Sequence, residues 1–164
     1  MAHGKVEKTN AARLLDRAKI NYELVPYEVD EEHLAATHVA EQLGEEIATV
    51  FKTLVLKGDR TGYFVCVVPG NHEVDLKAAA RVSGNKKADL IPMKELLPVT
   101  GYIRGGCTAI GMKKQYVTRI DESAKTQEQI YVSGGKIGSQ IRLTPEDLAK
   151  AAKAEFADII RHEN

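Results

Sequence analysis

The stretch FKTLVLKGDRTGYFVCVV, residues 51–68, decides the fold of this chain. Its two ends, 51–56 and 63–68, are rich in β-branched, aromatic and other apolar residues, which favours two strands. The segment 57–62 between them begins and ends near glycines and predicts a hairpin with a loop longer than the tightest type. Strand alternation places Phe51, Thr53 and Val55 on one face of the first strand, and Lys52 on the other face with two leucines.

The flanking sequence adds helices and further strands. Capping residues, prolines and glycines predict helices at 9–20, 33–43, 75–83, 92–97 and 145–154. Strands are predicted at 22–29, as an edge strand because Pro26 lacks an amide donor, and at 86–89, 101–104, 115–120, 129–133 and 140–143. This order predicts a single α+β domain in which helices flank a curved, mixed, largely antiparallel sheet. We expect a flexible N-terminus at 1–8 and the folded domain at 9–160.

Composition excludes several classes of protein. The 164 residues are enough for one compact domain, and 43% hydrophobic with 28% charged residues is typical of a globular chain. Lysine plus arginine equals aspartate plus glutamate, 23 each, so a histone-like binder is excluded. No tryptophan and three phenylalanines disfavour a protein that coats single strands. No apolar run is long enough for a signal peptide or a membrane span, which predicts a cytoplasmic protein with no membrane partner.

Lys52 allows two interpretations. Its stem can lie on apolar surface while the ammonium reaches water, which is the common arrangement for a lysine beside leucines. Alternatively, the ammonium is a cation at the mouth of an apolar pocket, positioned for a phosphate or a developing oxyanion.

Two glycine-rich segments, 101–111 (GYIRGGCTAIG) and 133–138 (SGGKIG), also allow two interpretations. Their backbone amides can approach and bind an anion, or they are plain turns. Met112 stands where a phosphate loop needs lysine, which disfavours a nucleotide triphosphatase. Cations near these segments predict a small basic rim: Arg104, Lys113, Lys114, Arg119 and Lys136. By contrast, 20–51 holds eight acidic residues and no lysine or arginine, so nucleic acid should avoid that flank.

Both cysteines, Cys66 and Cys107, are predicted to be free thiols. Cys107 follows two glycines and could be a nucleophile with His72 as its base, or simply a small buried residue. The sequence has no Cys-x-x-Cys, and His33 and His38 are five residues apart on different faces of a helix. We therefore expect no metal site.

Three motifs in register, at 51–54 (FKTL), 101–106 (GYIRGG) and 131–136 (YVSGGK), resemble the YbaK/EbsC family of aminoacyl-tRNA deacylases. The chain is also similar to the editing domain inserted in bacterial prolyl-tRNA synthetases. The resemblance covers 9–160 and implies hydrolysis of the ester that joins a wrong amino acid, usually cysteine, to the terminal adenosine of tRNA(Pro). It implies no metal or organic cofactor. The implied partners are the acceptor end of tRNA(Pro) and prolyl-tRNA synthetase.

The resemblance also implies roles for individual residues. Lys52 matches the family's essential lysine, which contacts the phosphate region of the terminal adenosine and orients the ester. The implied substrate-binding residues are Tyr27, Thr53, Gly105, Gly106, Thr108, Gly134, Gly135 and Gln140. This chain departs from the family at two places: Thr108-Ala109 replaces the usual Ser-Pro, and Gln140 stands where a number of relatives carry an acid.

In the family mechanism the substrate's own thiol attacks its carbonyl and expels the tRNA, so no protein nucleophile is required. Three alternatives stay open from the sequence. The chain could remove alanine or serine from tRNA, it could be a catalytically silent module that binds tRNA or a synthetase, or it could be a hydrolase that depends on Cys107.

Overall fold

The computed structural model describes residues 8–28 and 36–162, and within them the chain has the predicted α+β fold. Helices α1 to α5 span Asn10–Arg17, Ala36–Leu43, Leu76–Val82, Met93–Thr100 and Pro145–Ala152. Strands β1 to β8 span Glu23–Pro26, Phe51–Gly58, Gly62–Pro69, Ala88–Leu90, Val117–Asp121, Ile130–Ser133, Ser139–Leu143 and Glu155–Ala157. Residues 1–7 of the expected N-terminus, and the start of the predicted helix at His33, lie outside the described residues.

Side-chain caps begin three of the helices where the sequence predicted them. The Thr9 hydroxyl accepts a hydrogen bond from the amide of Ala12, and the Asp75 carboxylate accepts one from Ala78. Thr144 caps α5 in the same way, with proline at the first helical position. In the described ranges no helix is long and apolar enough to cross a membrane. The expected cytoplasmic location stays a prediction.

The strands form two sheets. The larger has the order β4-β2-β3-β5-β8, in which β2 is antiparallel to β3 and β4, and β5 is parallel to β3 and β8. The smaller has the antiparallel order β1-β7-β6, so β1 is an edge strand as Pro26 predicted. A single parallel bridge between Val50 and Tyr131 joins the end of one sheet to the other. The predicted mixed sheet is therefore confirmed, but its strands divide into two groups.

The hairpin formed by β2 and β3 is buried on both faces. Phe51 and Val55, with Val65 and Val67, belong to a core cluster that also contains residues of α1, α5 and the smaller sheet. The opposite face, including Leu56, packs in a second cluster with α3. Two covered faces explain why 63–68 is a continuous apolar run rather than an alternating one. The predicted orientation of β2 is confirmed.

One prediction of secondary structure was wrong, and one strand was not predicted. Residues 101–104 have no regular secondary structure instead of forming a strand, because Gly101 ends α4 in the left-handed region, with φ of 89°. Strand β8 was not predicted, although it pairs with β5 in the larger sheet. Its three residues carry little local signal, and the pairing depends on a partner more than thirty positions earlier in the chain.

Candidate functional site

A cavity of about 360 Å³ lies where the two sheets meet the first glycine-rich loop. Residues 50–54, at the start of β2, form one wall together with Gly70, which follows β3. The smaller sheet supplies Ser133 and Gln140, and Tyr27 follows directly after its strand β1. Helix α2 supplies Val39, and the loop supplies Arg104, Gly105 and Cys107. We call this space the site cavity. All three sequence motifs contribute residues to its lining.

Lys52 lies at the start of β2 and is half-buried. Its Nζ donates a long hydrogen bond of 3.4 Å to the carbonyl oxygen of Gly70. An ammonium has three N–H donors, so this one bond does not saturate it. Burial lowers the pKa of Lys52 from its ordinary value, and the negative charge of Glu73 opposes part of that shift. The residue is thus a partly desolvated cation that can serve a ligand.

A second cavity, of about 570 Å³, adjoins the other side of Lys52. Its apolar wall includes Leu54, Leu76 and Leu90, and charged side chains complete it. Two of these, Arg161 and Glu73, form an ion pair with an N–O distance of 2.8 Å. Because Lys52 and Leu54 line both spaces, the ammonium marks the boundary between the site cavity and the second cavity.

The first glycine-rich loop is held by contacts of its own. The hydroxyl of Tyr102 donates to the carbonyl oxygen of Ile110, which ties the two ends of the loop together. Gly105 has a φ of 85°, a conformation that side chains rarely adopt. At Gly106, a Cβ atom would come within 2.9 Å of the Cα of Lys136. Gly106 is therefore required for the close packing of this loop against the second one.

The second glycine-rich loop connects β6 to β7. The Ser133 hydroxyl accepts a hydrogen bond from the amide of Gly135, and the amide of Gly134 donates to the carbonyl of Ser139. A Cβ at Gly134 would approach the Ser139 Oγ to 2.5 Å. These contacts turn the chain tightly between the strands, so that Ser133 and its strand partner Gln140 both reach the site cavity.

The nine residues implied by the family resemblance fall into two groups. Five line the site cavity: Tyr27, Lys52, Thr53, Gly105 and Gln140. Four do not: Gly106, Thr108, Gly134 and Gly135. The glycines of the second group shape the loops behind the cavity wall. Thr108 is fully buried, and its hydroxyl accepts a hydrogen bond of 3.4 Å from the amide of Ile110. Its hydroxyl is thus turned to the loop backbone.

Sequence reasoning missed several lining residues. Gly70 contributes its backbone carbonyl to the site. Every residue has such a carbonyl, so the residue type gave no signal for this contact. Val39 and Val50 pack in a small cluster with Tyr131, and that cluster forms the apolar end of the cavity. The one available signal was the position of Val50 directly before the FKTL motif.

Cys107 lines the site cavity but is poorly suited to nucleophilic attack. Burial raises the pKa of its thiol to about 11, so the thiol is protonated at neutral pH. His72, the candidate base, is not among the residues that line the cavity. Cys66 lies in the core, where burial raises its pKa to about 12. Both cysteines are free, as predicted.

The five cations of the predicted rim are not equivalent. Arg104 lines the site cavity, whereas Lys113 and Lys114 line a separate groove beside α1. Arg119 forms an ion pair with Glu155, with an N–O distance of 3.3 Å, which links β5 to β8. Among the described residues, no group of three or more histidine, cysteine, aspartate or glutamate side chains is arranged to hold a metal ion.

Comparison with known proteins identifies the family. Residues 30–151 match the aminoacyl-tRNA editing domain. An Enterococcus faecalis protein named "Putative Cys-tRNA(Pro)/Cys-tRNA(Cys) deacylase EbsC" is 47% identical over 96% of both chains. A proline–tRNA ligase of Thermosipho melanesiensis is 29% identical over 60% of this chain and 17% of its own length.

A solved structure has the same fold. It is described as "a putative trans-editing enzyme for prolyl tRNA synthetase", is 23% identical, and aligns with a TM-score of 0.81 over 95% of this chain and all of its own. The resemblance drawn from the three sequence motifs is confirmed by the sequence matches. This chain belongs to the aminoacyl-tRNA editing domain family.

Proposed function

We propose that this protein is an aminoacyl-tRNA deacylase that hydrolyses the ester of cysteinyl-tRNA(Pro), acting in trans to a synthetase. Membership of the editing family and the name of the E. faecalis relative support this activity. The observation that carries the proposal is the position of Lys52, a half-buried cation at the boundary of two cavities. The acceptor end of an aminoacylated tRNA has two parts, an aminoacyl group and a terminal adenosine. Each part could occupy one of the two cavities.

In this arrangement the smaller site cavity holds the aminoacyl group, and the second cavity holds the terminal adenosine. The apolar wall of the second cavity, with Leu76 and Leu90 partly exposed, suits the face of a base. Lys52 then lies beside the ester and the phosphate region at the junction. Arg104, at the mouth of the site cavity, adds a second positive charge for the nucleic acid backbone.

The reaction then needs no nucleophile from the protein. The cysteinyl sulfur forms a bond to the ester carbonyl carbon, the carbon–oxygen bond to the ribose breaks, and the thiol proton leaves with the tRNA 3′ oxygen. Water opens the resulting thiolactone afterwards. Confinement of thiol and carbonyl in one small cavity raises the rate of this cyclisation. The ammonium of Lys52 stabilises the negative charge that develops on the oxygen atoms.

Delivery of the substrate is expected to require a partner. The net charge of the chain is zero, so free tRNA should bind weakly and with modest salt dependence. Prolyl-tRNA synthetase is the natural candidate, since it releases the mischarged product. Nanomolar binding of uncharged tRNA by the protein alone at physiological salt would remove this part of the proposal.

A panel of cysteinyl-, alanyl- and seryl-tRNA(Pro) tests the activity. We expect rapid release of cysteine, and we expect Lys52→Ala to lower that rate on the order of 100- to 1,000-fold, as loss of a charged stabilising group does. The matched control is Lys57→Ala, in the same strand, because Lys57 is exposed and lines neither the site cavity nor the second cavity. It should keep full activity.

Other results of the panel would favour the alternatives. Preferential release of alanine or serine would replace the thiol mechanism with attack by water or a ribose hydroxyl. A rate at background level for both the natural protein and Lys52→Ala would support the silent binding module and contradict the proposed function.

A further inference from the structure

We propose that the side-chain carbonyl of Gln140 recognises the α-amino group of the aminoacyl ester, by accepting a hydrogen bond from it in the site cavity. The inference rests on the proposed function. It assigns the residue a selective role: Gln140 distinguishes an aminoacyl ester from an acyl ester that has no amine.

Gln140 carries an unpaired acceptor at the candidate site. The residue lines the site cavity and only 5% of it is exposed. Its Oε1 is inaccessible to water and has no hydrogen-bond partner among the described residues. A buried carbonyl without a donor costs free energy, and a ligand that supplies the donor recovers it. An N–H group of a bound ligand that reached Oε1 would supply the missing donor.

The backbone of Gln140 is fixed by the smaller sheet. Strand β7 is its central strand, and Gln140 pairs opposite Val25 of β1 and Ser133 of β6. Hydrogen bonds on both sides of the strand leave the main chain little freedom to move. A fixed main chain and an exposure of 5% limit the positions open to the side chain, so less ordering is needed when a ligand binds.

The side-chain acceptor that Gln140 offers at the cavity is an amide oxygen rather than a carboxylate. Two cations, Lys52 and Arg104, line it, and no aspartate or glutamate does so among the described residues. Two other oxygens at the cavity already accept hydrogen bonds: the carbonyl of Gly70 accepts from Lys52, and the Ser133 hydroxyl accepts from Gly135. An amine donates N–H groups in both its protonated and neutral forms, so an amide oxygen can bind either form.

A site built around a buried acceptor rejects substrates that lack the matching donor, since the acceptor is then left unpaired. Two substrates that differ only in this donor therefore test the inference. Cysteinyl-tRNA(Pro) and 3-mercaptopropionyl-tRNA(Pro) share the thiol, the ester and the tRNA, but the second has no α-amino group.

The experiment measures kcat and KM for both esters with the natural protein and with Gln140→Met, each corrected for the uncatalysed rate of its ester. Methionine keeps the length of the side chain and removes the amide. We expect Gln140→Met to lower kcat/KM for the cysteinyl ester on the order of 10- to 100-fold, the usual effect of losing a hydrogen bond to a charged group. The desamino ester should change by less than about 3-fold, because it never makes that bond.

Two further variants serve as controls. Gln140→Glu keeps an oxygen acceptor at the same place and should retain the preference for the cysteinyl ester. Ser139→Ala removes the adjacent buried hydroxyl, which also has no partner among the described residues but does not line the cavity. Ser139→Ala should leave the ratio of the kcat/KM values for the two esters unchanged.

A measurement on the natural protein alone covers the case in which Gln140→Met does not fold. Stable 3′-amide analogues of cysteinyl- and 3-mercaptopropionyl-adenosine are compared as inhibitors. We expect the desamino analogue to bind on the order of 10- to 100-fold more weakly.

Several outcomes would overturn the inference. Equal losses on both esters would show that Gln140 only supports the fold, and no loss on either would show that it contributes nothing. A loss in Gln140→Glu as large as in Gln140→Met would show that the amide N–H is the group used. Suppose that the natural protein cleaves the cysteinyl ester, but substitution of Gln140 changes kcat/KM equally for the two esters. Only this inference then fails. If it cleaves neither ester, the proposed function fails with it.

Discussion

The two cavities that meet at Lys52 differ in how they are built. The site cavity is enclosed by both sheets and a glycine-rich loop, and it contains a buried, unpaired carbonyl at Gln140. The second cavity is lined by partly exposed leucines and by charged side chains, of which Arg161 and Glu73 form an ion pair. We interpret the first as the place where a small polar group is discriminated, and the second as the place where a larger, flatter group is held.

This difference separates the expected effects of substitutions. Changes that alter the site cavity should act mainly on kcat, because the reacting atoms lie there. Changes in the second cavity should act mainly on KM, because that space only holds the substrate. Four predictions, in order of decreasing effect, test the division.

Among these four predictions, the largest effect is expected for Gly106→Ala. The new Cβ would lie 2.9 Å from the Cα of Lys136, so the two glycine-rich loops must move apart. We expect kcat to fall on the order of 100-fold, as a displacement near 1 Å in a catalytic site does. Unfolding should become about 1–3 kcal/mol easier. Steady-state kinetics and thermal unfolding measure the two effects.

Gly84→Ala controls for destabilisation without a change of the site. Gly84 has a φ of 84° and open space around it, so alanine there adds backbone strain of about 1–2 kcal/mol but no clash. If Gly84→Ala lowered kcat as much as Gly106→Ala, activity would depend on overall stability and the loop argument would be wrong.

The next effect concerns pH. Burial lowers the pKa of Lys52 from 10.5, the ordinary value for lysine. Its ammonium therefore loses its proton at a lower pH than an exposed lysine does. If the charged form stabilises the reaction, kcat should fall about tenfold per pH unit above that lowered pKa. The rate is measured against pH with the uncatalysed hydrolysis subtracted, and NMR of the lysine side chain locates the pKa.

Lys52→Arg provides the comparison, because a guanidinium stays charged over the whole range. Whatever its absolute rate, this variant should show no decline at high pH. An identical decline in both proteins would assign the titration to another group.

A smaller effect is expected for Leu90→Ala in the second cavity. Removing apolar surface that contacts the adenosine should raise KM roughly 3- to 10-fold and leave kcat unchanged. Leu97→Ala is the matched control, since Leu97 is about as exposed as Leu90, at 52% against 51%, and lines neither cavity. A fall in kcat with KM unchanged would contradict the assignment of the second cavity to binding.

The smallest effect is expected for Cys107→Ala. Burial raises the pKa of this thiol to about 11, so it is not a nucleophile at neutral pH and its removal should change kcat by less than about 3-fold. Some stability should be lost, about 1 kcal/mol, because a buried sulfur leaves a small void. If a folded Cys107→Ala protein had no deacylase activity, the alternative of a hydrolase that depends on Cys107 would be favoured.

Much of the fold could be predicted because its signals are local. Capping by Thr9, Asp75 and Thr144 depends on amides within three residues, and the hairpin around β2 depends on neighbouring residues and their alternation. The strand predicted at 101–104 failed because Gly101 ends a helix there, and a helix end forces a turn. Strand β8 escaped prediction because its stability comes from β5, far away in the chain.

The candidate site divides in the same way. The family motifs pointed to nine residues, and five of them line one cavity. Motifs could not show which glycines touch a ligand and which, like Gly106, pack one loop against another. They also gave no indication that the carbonyl of Gly70 would bind Lys52.

The amino-acid sequence by itself determined the fold class, the central hairpin, the helix caps and the family, because each is written in residue types and their spacing. Only the tertiary structure decided that Lys52 separates two cavities, that its pKa is lowered and that Gln140 has an unpaired oxygen. Burial and hydrogen bonding depend on which distant segments come together, and that information is absent from any short stretch of chain.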